Sequence, residues 1–567
     1  MKAYDNFRQE ISSLVKSAIN SLYGKQKFDE TLEIPPEGYG DFSFPCFQLA
    51  PGIKKSPVTI AAEIAKYIEG KKSEWIKKVE EKNGYVNFFV SEKKLAEATL
   101  SRISEKVYEE GPRKKIILEH TSANPNGPLH VGRARNPIIG DTLARIFRFA
   151  GHDTETQFYV DDMGKQVAIL FWGLNNLDIK IEEKKEDHRL VTFYQKAYEM
   201  MEKDENVREQ IGDIIQKCEK GDEKTLKLVK NSYEKVLKGI LESLERINIK
   251  IDSFVEESRF VLDGSVQHVI KELKKTEFAR CEDNAIYLDL EPFGVHGRNK
   301  KFFLTRKDGT SLYATKDIAY HIWKGKKADV LINILGEDHK LEVKLVEIAL
   351  KILNSKVPIT VFYSFVSLPE GKMSTRRGRV VYLDELIEES VERAYQEVKK
   401  KRELPEKKAR FIAEKVGTGA IRYNIVKVKP EKAITFRWEE ALNFEGESAP
   451  FIQYAHARCC SVIKKAGKEN IDIPKIDFSS YKHAQEIHLL KVIASFPEVI
   501  KKCQDELNPA FLAEYAYKLA AAFNTFYRDC RVVGDEKEKE RLMLVHATEQ
   551  TLKNALCLLG IEALEEM

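Results

Sequence analysis

Between Ala123 and Arg133 the chain reads Ala-Asn-Pro-Asn-Gly-Pro-Leu-His-Val-Gly-Arg, a turn-rich stretch that closes on an imidazole, a glycine and a guanidinium. The apolar run Ile116-Ile117-Leu118 precedes it. An amphipathic segment follows from Arg135, with Ile138, Ile139, Leu143, Ile146 and Phe149 at helical spacing, and stops at Gly151. This pattern predicts strand, turn and helix, and the second apolar run from Thr156 to Val160 completes a β-α-β unit of parallel sheet. Gly127, Pro128, His130 and Gly132 stand where the helix begins, so backbone amides and the positive end of the helix dipole face an anion. The stretch is neither a P-loop, because no Gly-Lys-Ser/Thr follows, nor a Gly-x-Gly-x-x-Gly dinucleotide turn. In their place His130 can donate to a phosphate oxygen whose charge changes as a nucleophile attacks, which is electrostatic stabilisation rather than proton transfer. Read alone, the stretch is equally a capped surface turn with an incidental histidine.

A second stretch, Gly371-Lys-Met-Ser-Thr-Arg-Arg-Gly378, follows the apolar run from Thr360 to Val366. Such a basic loop at a strand end can close over a triphosphate and offset charge on leaving pyrophosphate; by itself it is a solvated charge run. Together the two stretches resemble the His-x-Gly-His and Lys-Met-Ser-Lys-Ser signatures of class I aminoacyl-tRNA synthetases. The resemblance narrows to the arginyl-tRNA synthetases through Glu119 to Asn126, Asp162 to Gln166, Leu312 to Asp317, Gly336 to His339, Lys372 to Arg376 and Gln453 to Arg458. Arg133 stands where the class pattern has its second histidine, as in the archaeal-type form, and Thr375 stands where it has its second lysine.

The resemblance implies two steps: the arginine carboxylate attacks the α-phosphorus of ATP, and a terminal ribose hydroxyl of tRNA(Arg) then takes the arginyl group. It implies catalytic roles for His130, Arg133, Lys372 and Arg376. It implies ATP contacts from Gly127, Pro128, His130, Gly132, Arg133, Asp338, His339, Lys372, Met373 and Ser374. Arginine would be held by Glu119, Ser122, Asn124, Tyr313 and Asp317. A planar cation with five donors calls for a carboxylate that accepts two of them, and an aromatic ring beside it adds cation–π attraction. Without the resemblance, Glu119 would be a strand-end surface acid and Asp317 a helix-surface charge. Arg133 either adds a fixed charge or forms an ion pair within its helix. Magnesium would arrive with ATP, and no protein-bound zinc is expected. The alternative is a catalytically inactive tRNA-binding paralogue, suggested by Arg133 and Thr375.

The elements that must position these residues imply several domains, since 567 residues exceed one core. The expected fold class is α/β, with a Rossmann-like parallel-sheet catalytic domain, a helical insertion, a small α+β N-terminal domain and an all-α C-terminal anticodon-binding domain. Residues 1–110 carry helical spacing at Phe7, Ile11, Leu14, Val15 and Ile19, a helix from Pro57 and a strand at Tyr85–Val90; they resemble the family's domain for the tRNA elbow. Residues 111–385 form the catalytic domain, split by an insertion at about 176–300, with the sheet resuming at Lys301–Thr305. Ser311 is expected to cap the Tyr313 helix, on which Tyr313 and Asp317, four apart, share a face. Residues 386–567 hold stem helices and the helical domain, and the ending at Gly560-Ile561 and Met567 resembles the family's, which implies a complete chain. Phe42, Tyr454, Arg458, Tyr527 and Met567 are the candidate tRNA contacts, although the spacing of Phe42, Phe44 and Phe47 fits a core face better than a stacking face.

The formal charge of +4 balances 93 basic against 89 acidic residues, so an RNA surface must come from local patches. Eight cysteines without a Cys-x-x-Cys pattern point to reduced thiols. No run reaches the ~20 apolar residues of a membrane helix, and the start lacks a signal core. A cytoplasmic monomer is expected.

Overall fold

The structure, a computed structural model, describes residues 3–36, 38–71, 73–101, 112–124, 126–183, 185–367, 381–401, 403–467 and 476–567. The stripe of Phe7, Ile11, Val15 and Ile19 makes Ala3–Tyr23 a helix, α1, whose apolar face is buried. It packs on α2 (Pro57–Glu69), which starts with proline and is capped by Ser56, whose hydroxyl accepts from the Thr59 amide. Strands β1 (Phe42–Pro45), β2 (Ile76–Lys82) and β3 (Tyr85–Val90) form an antiparallel sheet in the order β1-β3-β2. Phe42, a candidate RNA contact, is only 2% exposed, with its ring 5.8 Å from Tyr4 and 5.7 Å from Phe7. Strand alternation puts it on the inner face, so it serves this core and cannot offer a ring to a base.

The predicted β-α-β unit forms as β4 (Lys115–Glu119), α3 (Arg135–Phe149) and β5 (Asp153–Val160), with β4 and β5 parallel. Next come α4 (Lys165–Asn176), α5 (Glu186–Lys203), α6 (Glu205–Glu219) and α7 (Glu223–Arg246), a helical insert with its apolar stripes packed together. The insert is not continuous over 176–300, because β6 (Ser253–Glu256) pairs parallel with β5 at the edge of the main sheet. At four residues it is too short for periodicity to reveal.

A second correction concerns Lys301–Phe303, β9, which does not resume the parallel sheet. It pairs antiparallel with β8 (Ala285–Asp289), itself hairpinned to β7 (Ala279–Glu282). Asp283 and Asn284 turn that hairpin with φ of 48° and 64°, the left-handed conformation a two-residue turn needs. Local pairing thus captures β9.

Helix α8 (Tyr313–Gly325) follows the turn at Arg306–Gly309. Leu312 occupies its N-cap, and Ser311 pairs instead with Thr305 as a β-bridge, so the expected serine cap is not made. With β10 (Val330–Gly336) and β11 (Ile359–Tyr363), the parallel sheet runs β11-β10-β4-β5-β6. The order reverses between β4 and β10, the switch point where such sheets open a crevice at their C-terminal ends. β12 (Val366–Ser367) pairs with β13 (Ile434–Thr435).

The remainder is helical: α9 (Leu383–Lys401) packs along α10 (Glu406–Val426), and α11 (Ala449–Ala466), α12 (Ala484–Ala494), α13 (Ala510–Asp529) and α14 (Glu538–Leu558) form a bundle. The N-terminal unit is bound to this region by Arg8–Glu498 at 2.8 Å and Lys491–Asp41 at 2.6 Å. No helix among the described residues is long and apolar enough to cross a membrane.

One buried guanidinium joins the units. Arg422 on α10 pairs with Asp141 on α3 at 2.6 Å and donates to the carbonyls of Ile247 and Leu559 at 2.7 Å and 2.6 Å. It therefore holds the catalytic-sheet helix, the end of the insert and the end of α14 at one point. Asp141→Ala leaves that cation buried without its counter-ion, at a cost of about 3–5 kcal/mol. Calorimetry is expected to show a melting midpoint lowered by roughly 3–4 °C.

Candidate active site

At the switch point lies a cavity of about 140 Å³ lined by Glu119, Ser122, Asn124, Arg133, Tyr313, Asp317 and His339, together with Tyr159, Asp161, His321 and Asn333. Glu119 ends β4, Asn333 lies within β10, and Tyr313 and Asp317 lie one turn apart on α8, so three elements converge there. Lys324, two further turns along α8 and fully buried, places its ammonium 2.6 Å from Glu119 Oε2 and 3.1 Å from Asn333 Oδ1. A lysine only donates, so the Asn333 amide must present its NH₂ to His321 Nε2, 2.7 Å away. The imidazole proton then sits on Nδ1, 2.8 Å from the Asp317 carbonyl and 3.1 Å from Asp317 Oδ1. This chain fixes both carboxylates. Burial works against the ionised form of Asp317, but His321, with Lys324 and His339 beyond it, holds the group below the usual carboxylate range.

Glu119 Oε1 accepts from Ser122 Oγ at 3.2 Å. Both of its oxygens are therefore engaged, whereas Asp317 Oδ2 has no partner among the described residues. The Tyr159 ring stacks on Tyr320 at 4.3 Å, and its buried hydroxyl has no hydrogen-bond partner. Burial pushes Asp161 up to about 6 and Glu257 up to about 8. Glu257 pairs with Lys316 at 2.6 Å through one oxygen and leaves the other buried and unpartnered. Tyr159, Asp161, Glu257, His321, Lys324 and Asn333 all escaped the sequence reading. Extending the Tyr313/Asp317 stripe by i+4 steps reaches His321, and one i+3 step more reaches Lys324.

The phosphate-facing candidates divide. His130 is exposed at the start of the single turn Val131–Arg133, and its Nδ1 accepts from the Gly132 amide at 2.9 Å. Its proton is thereby placed on Nε2, free to donate outward. Partial burial and the neighbouring Arg133 hold its pKa below the ordinary value, so the ring is neutral at pH 7. A Cβ at Gly132 would sit 2.9 Å from His130 Nδ1, so only glycine permits this ring position. The Gly132 amide is consequently spent on the histidine rather than free for an anion. Gly127 and Pro128 are buried away from the cavity; a Cβ on Gly127 would lie 2.6 Å from Val191, so its smallness serves packing against α5. Arg133 forms no ion pair among the described residues and stands at the cavity wall. His339 bonds Glu342 at 3.1 Å, which raises its pKa, and Asp338 lies 3.8 Å from His339 Nε2.

Lys372, Met373, Ser374 and Arg376 lie outside the described residues. The segments on either side of them do not: the Val131 amide donates to Val381 O at 3.0 Å and the Leu383 amide to Leu129 O at 2.7 Å, while β12 lies beside Gly132. Chain exit and re-entry therefore border His130.

A second cavity, of about 440 Å³, is lined by Tyr454, Arg458 and Met567 with Phe451 and Asn524. The Arg458 guanidinium lies 4.7 Å from the Tyr454 ring and 5.2 Å from the Tyr527 ring, and donates to Asn524 at 2.6 Å. Four of the five RNA candidates thus cluster; Phe42 does not. Among the described residues two groups have metal-ligand types, and neither lines the first cavity. In one, His456 already bonds the Leu564 carbonyl at 2.8 Å and Glu549 at 3.2 Å.

Comparison with known proteins places this geometry. Residues 96–438 match the family model for the class I (R) tRNA synthetase catalytic domain, 9–90 the arginyl-tRNA synthetase N-terminal domain, and 452–567 the DALR anticodon-binding domain. Arginine–tRNA ligase of Methanocella arvoryzae is 49% identical, with 92% of each chain covered. That of Methanothermobacter thermautotrophicus is 43% identical over 99% of each. Thermus thermophilus arginyl-tRNA synthetase superposes with a TM-score of 0.82 at 28% identity, covering 99% of this chain and 100% of that one. Catalytic sheet, flanking domains and end-to-end similarity agree, and the chain belongs to the arginyl-tRNA synthetase family.

Proposed function

We infer that this chain is an arginine–tRNA ligase: it activates L-arginine with ATP and transfers the arginyl group to tRNA(Arg), releasing diphosphate and AMP. The observation that carries the substrate assignment is the pair of carboxylates at the switch point, one neutralised by Lys324 and the other, Asp317, left with an open oxygen. A guanidinium entering there meets the open Asp317 oxygen beside the Glu119 carboxylate, two acceptors for its planar set of donors. Lysine, a point charge, cannot fill both acceptor positions. Tyr313 covers the side chain, and Ser122 and Asn124 lie on the β4 side for the α-amino and carboxylate groups.

ATP would lie across the start of α3, its magnesium carried by the nucleotide. His130 Nε2–H and Arg133 face the α-phosphate, where charge rises as the arginine carboxylate attacks. His339, with Asp338, borders the ribose. Lys372 and Arg376 act on the β- and γ-phosphates, with Met373 and Ser374 shaping their loop. Positioning and charge stabilisation suffice for such a reaction, which needs no protein nucleophile. Tyr454, Arg458, Tyr527 and Met567 would receive anticodon bases by stacking, with the guanidinium held ready between two rings. Cytoplasmic location and a monomeric state complete the reading. An inactive RNA-binding relative has no observation in its favour.

Charging assays on tRNA with arginine, lysine and glutamate test the assignment: arginine alone is expected to be esterified. Equal charging by lysine would overturn it. A pH dependence also follows. Asp161 borders the cavity with a pKa raised to about 6 by burial, and its ionised form favours a cation. KM for arginine is expected to fall as pH rises from about 5 to about 7, and Asp161→Asn to abolish that slope.

A further inference from the structure

Away from the arginine cavity, Asp384 in the first turn of α9 is gripped by the helical insert. Its Oδ2 lies 2.8 Å from His188 Nε2 and 2.8 Å from Lys185 Nζ, and its Oδ1 accepts from Ser243 Oγ at 2.9 Å. His188 and Lys185 come from the start of α5, and Ser243 from α7. Asp187, His188 and Asp384 have the residue types of a metal site. The Lys185 ammonium already takes the cation's place, 3.3 Å from Asp187 and 2.8 Å from Asp384, so the cluster is a closed set of ion pairs.

What this cluster holds is the chain immediately before it. Val381 and Leu383 bracket Tyr382, which forms an antiparallel bridge with His130, and the His188 ring sits edge-on to Tyr382 at 5.1 Å. His130 thus makes an isolated β-bridge to Tyr382, in a segment that Asp384 fastens to α5 and α7. We propose that Asp384, with His188 and Lys185, is a positioning residue set for His130, making the placement of the phosphate-facing imidazole depend on the helical insert. The proposal rests on the reading of His130 as a phosphate contact. The two carboxylates of the arginine cavity lie on β4 and α8, which the cluster does not touch, so the effect should fall on turnover and spare arginine binding.

The test is arginine-dependent pyrophosphate exchange by the full chain with tRNA, comparing wild type with His188→Gln, Asp384→Asn and the double variant. Each single variant is expected to lower kcat by about tenfold or more with KM for arginine within about twofold, because a displacement on the order of 1 Å at a reacting centre is costly. The double variant is expected to match the worse single one, as members of one unit do. Unchanged kcat, a loss carried by KM for arginine, or single losses that multiply would each overturn the proposal. Ser243→Ala removes the hydroxyl that donates to Asp384 Oδ1 and accepts from Lys185 Nζ, and leaves the ion pairs of Asp384 with Lys185 and His188. It guards against a misfolded Asp384 variant: a kcat about threefold lower supports the positioning role, and no change counts against it. Exchange in the wild type with unaffected variants sinks this proposal alone; a wild type without exchange sinks the functional reading and this proposal with it.

Discussion

Asp317→Asn is expected to reduce kcat/KM for arginine by roughly 10³-fold while leaving KM for ATP nearly unchanged. The side chain faces the cavity from α8, and His321 is bonded to one of its oxygens so that the other remains available. Asparagine keeps the shape but replaces an acceptor oxygen with a donor NH₂ and removes the charge. A guanidinium would then be partly desolvated opposite a donor. Leaving one member of such a pair unmatched costs about 3–5 kcal/mol, and each 1.36 kcal/mol is about tenfold. Steady-state kinetics at varied arginine check this, and a loss below about tenfold would place the guanidinium elsewhere, with Asp161 at the cavity wall the next candidate.

The second large effect is expected for His130→Ala, with kcat lower by about 10²–10³ and KM for arginine unchanged. The Gly132 amide fixes the tautomer so that Nε2 carries the proton, and the lowered pKa keeps the ring neutral at pH 7. On the proposed function the group acts as an oriented donor to developing charge, useful in the transition state more than in the ground state. Single-turnover adenylate formation is the direct measurement. A defect expressed wholly in KM for ATP would make His130 a binding group instead.

The scaffold around the site was legible from residue types alone because it uses strong local signals, whereas Glu119 and Asp317 stood out only through the family resemblance. The run Ile116–Leu118, the stripe from Ile138 to Phe149 and the run to Val160 became β4, α3 and β5, with the helix spanning Arg135–Phe149. The apolar run before Gly336 became the central strand β10. Where the reading failed, long-range pairing decided. β6 has only four residues, and nothing local marks it as the edge of a parallel sheet. β9 looked like a returning core strand but was taken by a hairpin partner. Phe42, a candidate RNA contact whose spacing already fits a core face better, lies on the strand face that α1 covers.

The residues missed in the site share a cause. Lys324, His321 and Asn333 never face solvent, and their value lies in fixing Glu119 and Asp317 rather than in touching substrate. A buried lysine reads in sequence as one more surface charge. Its role appears only when Glu119 and Asn333, far away in the chain, arrive within hydrogen-bond reach. Gly127 and Gly132 show the converse: adjacent in a motif, one packs against Val191 and the other makes room for His130.

On the proposed function, the switch-point cavity selects arginine for activation at the α-phosphate, with the flanking domains holding tRNA. Pyrophosphate exchange reads this selection at its first step, run with arginine or lysine, each with and without tRNA. Exchange is expected with arginine and tRNA and none with lysine. Exchange supported equally by lysine, or none with arginine and tRNA together, would overturn the proposed function.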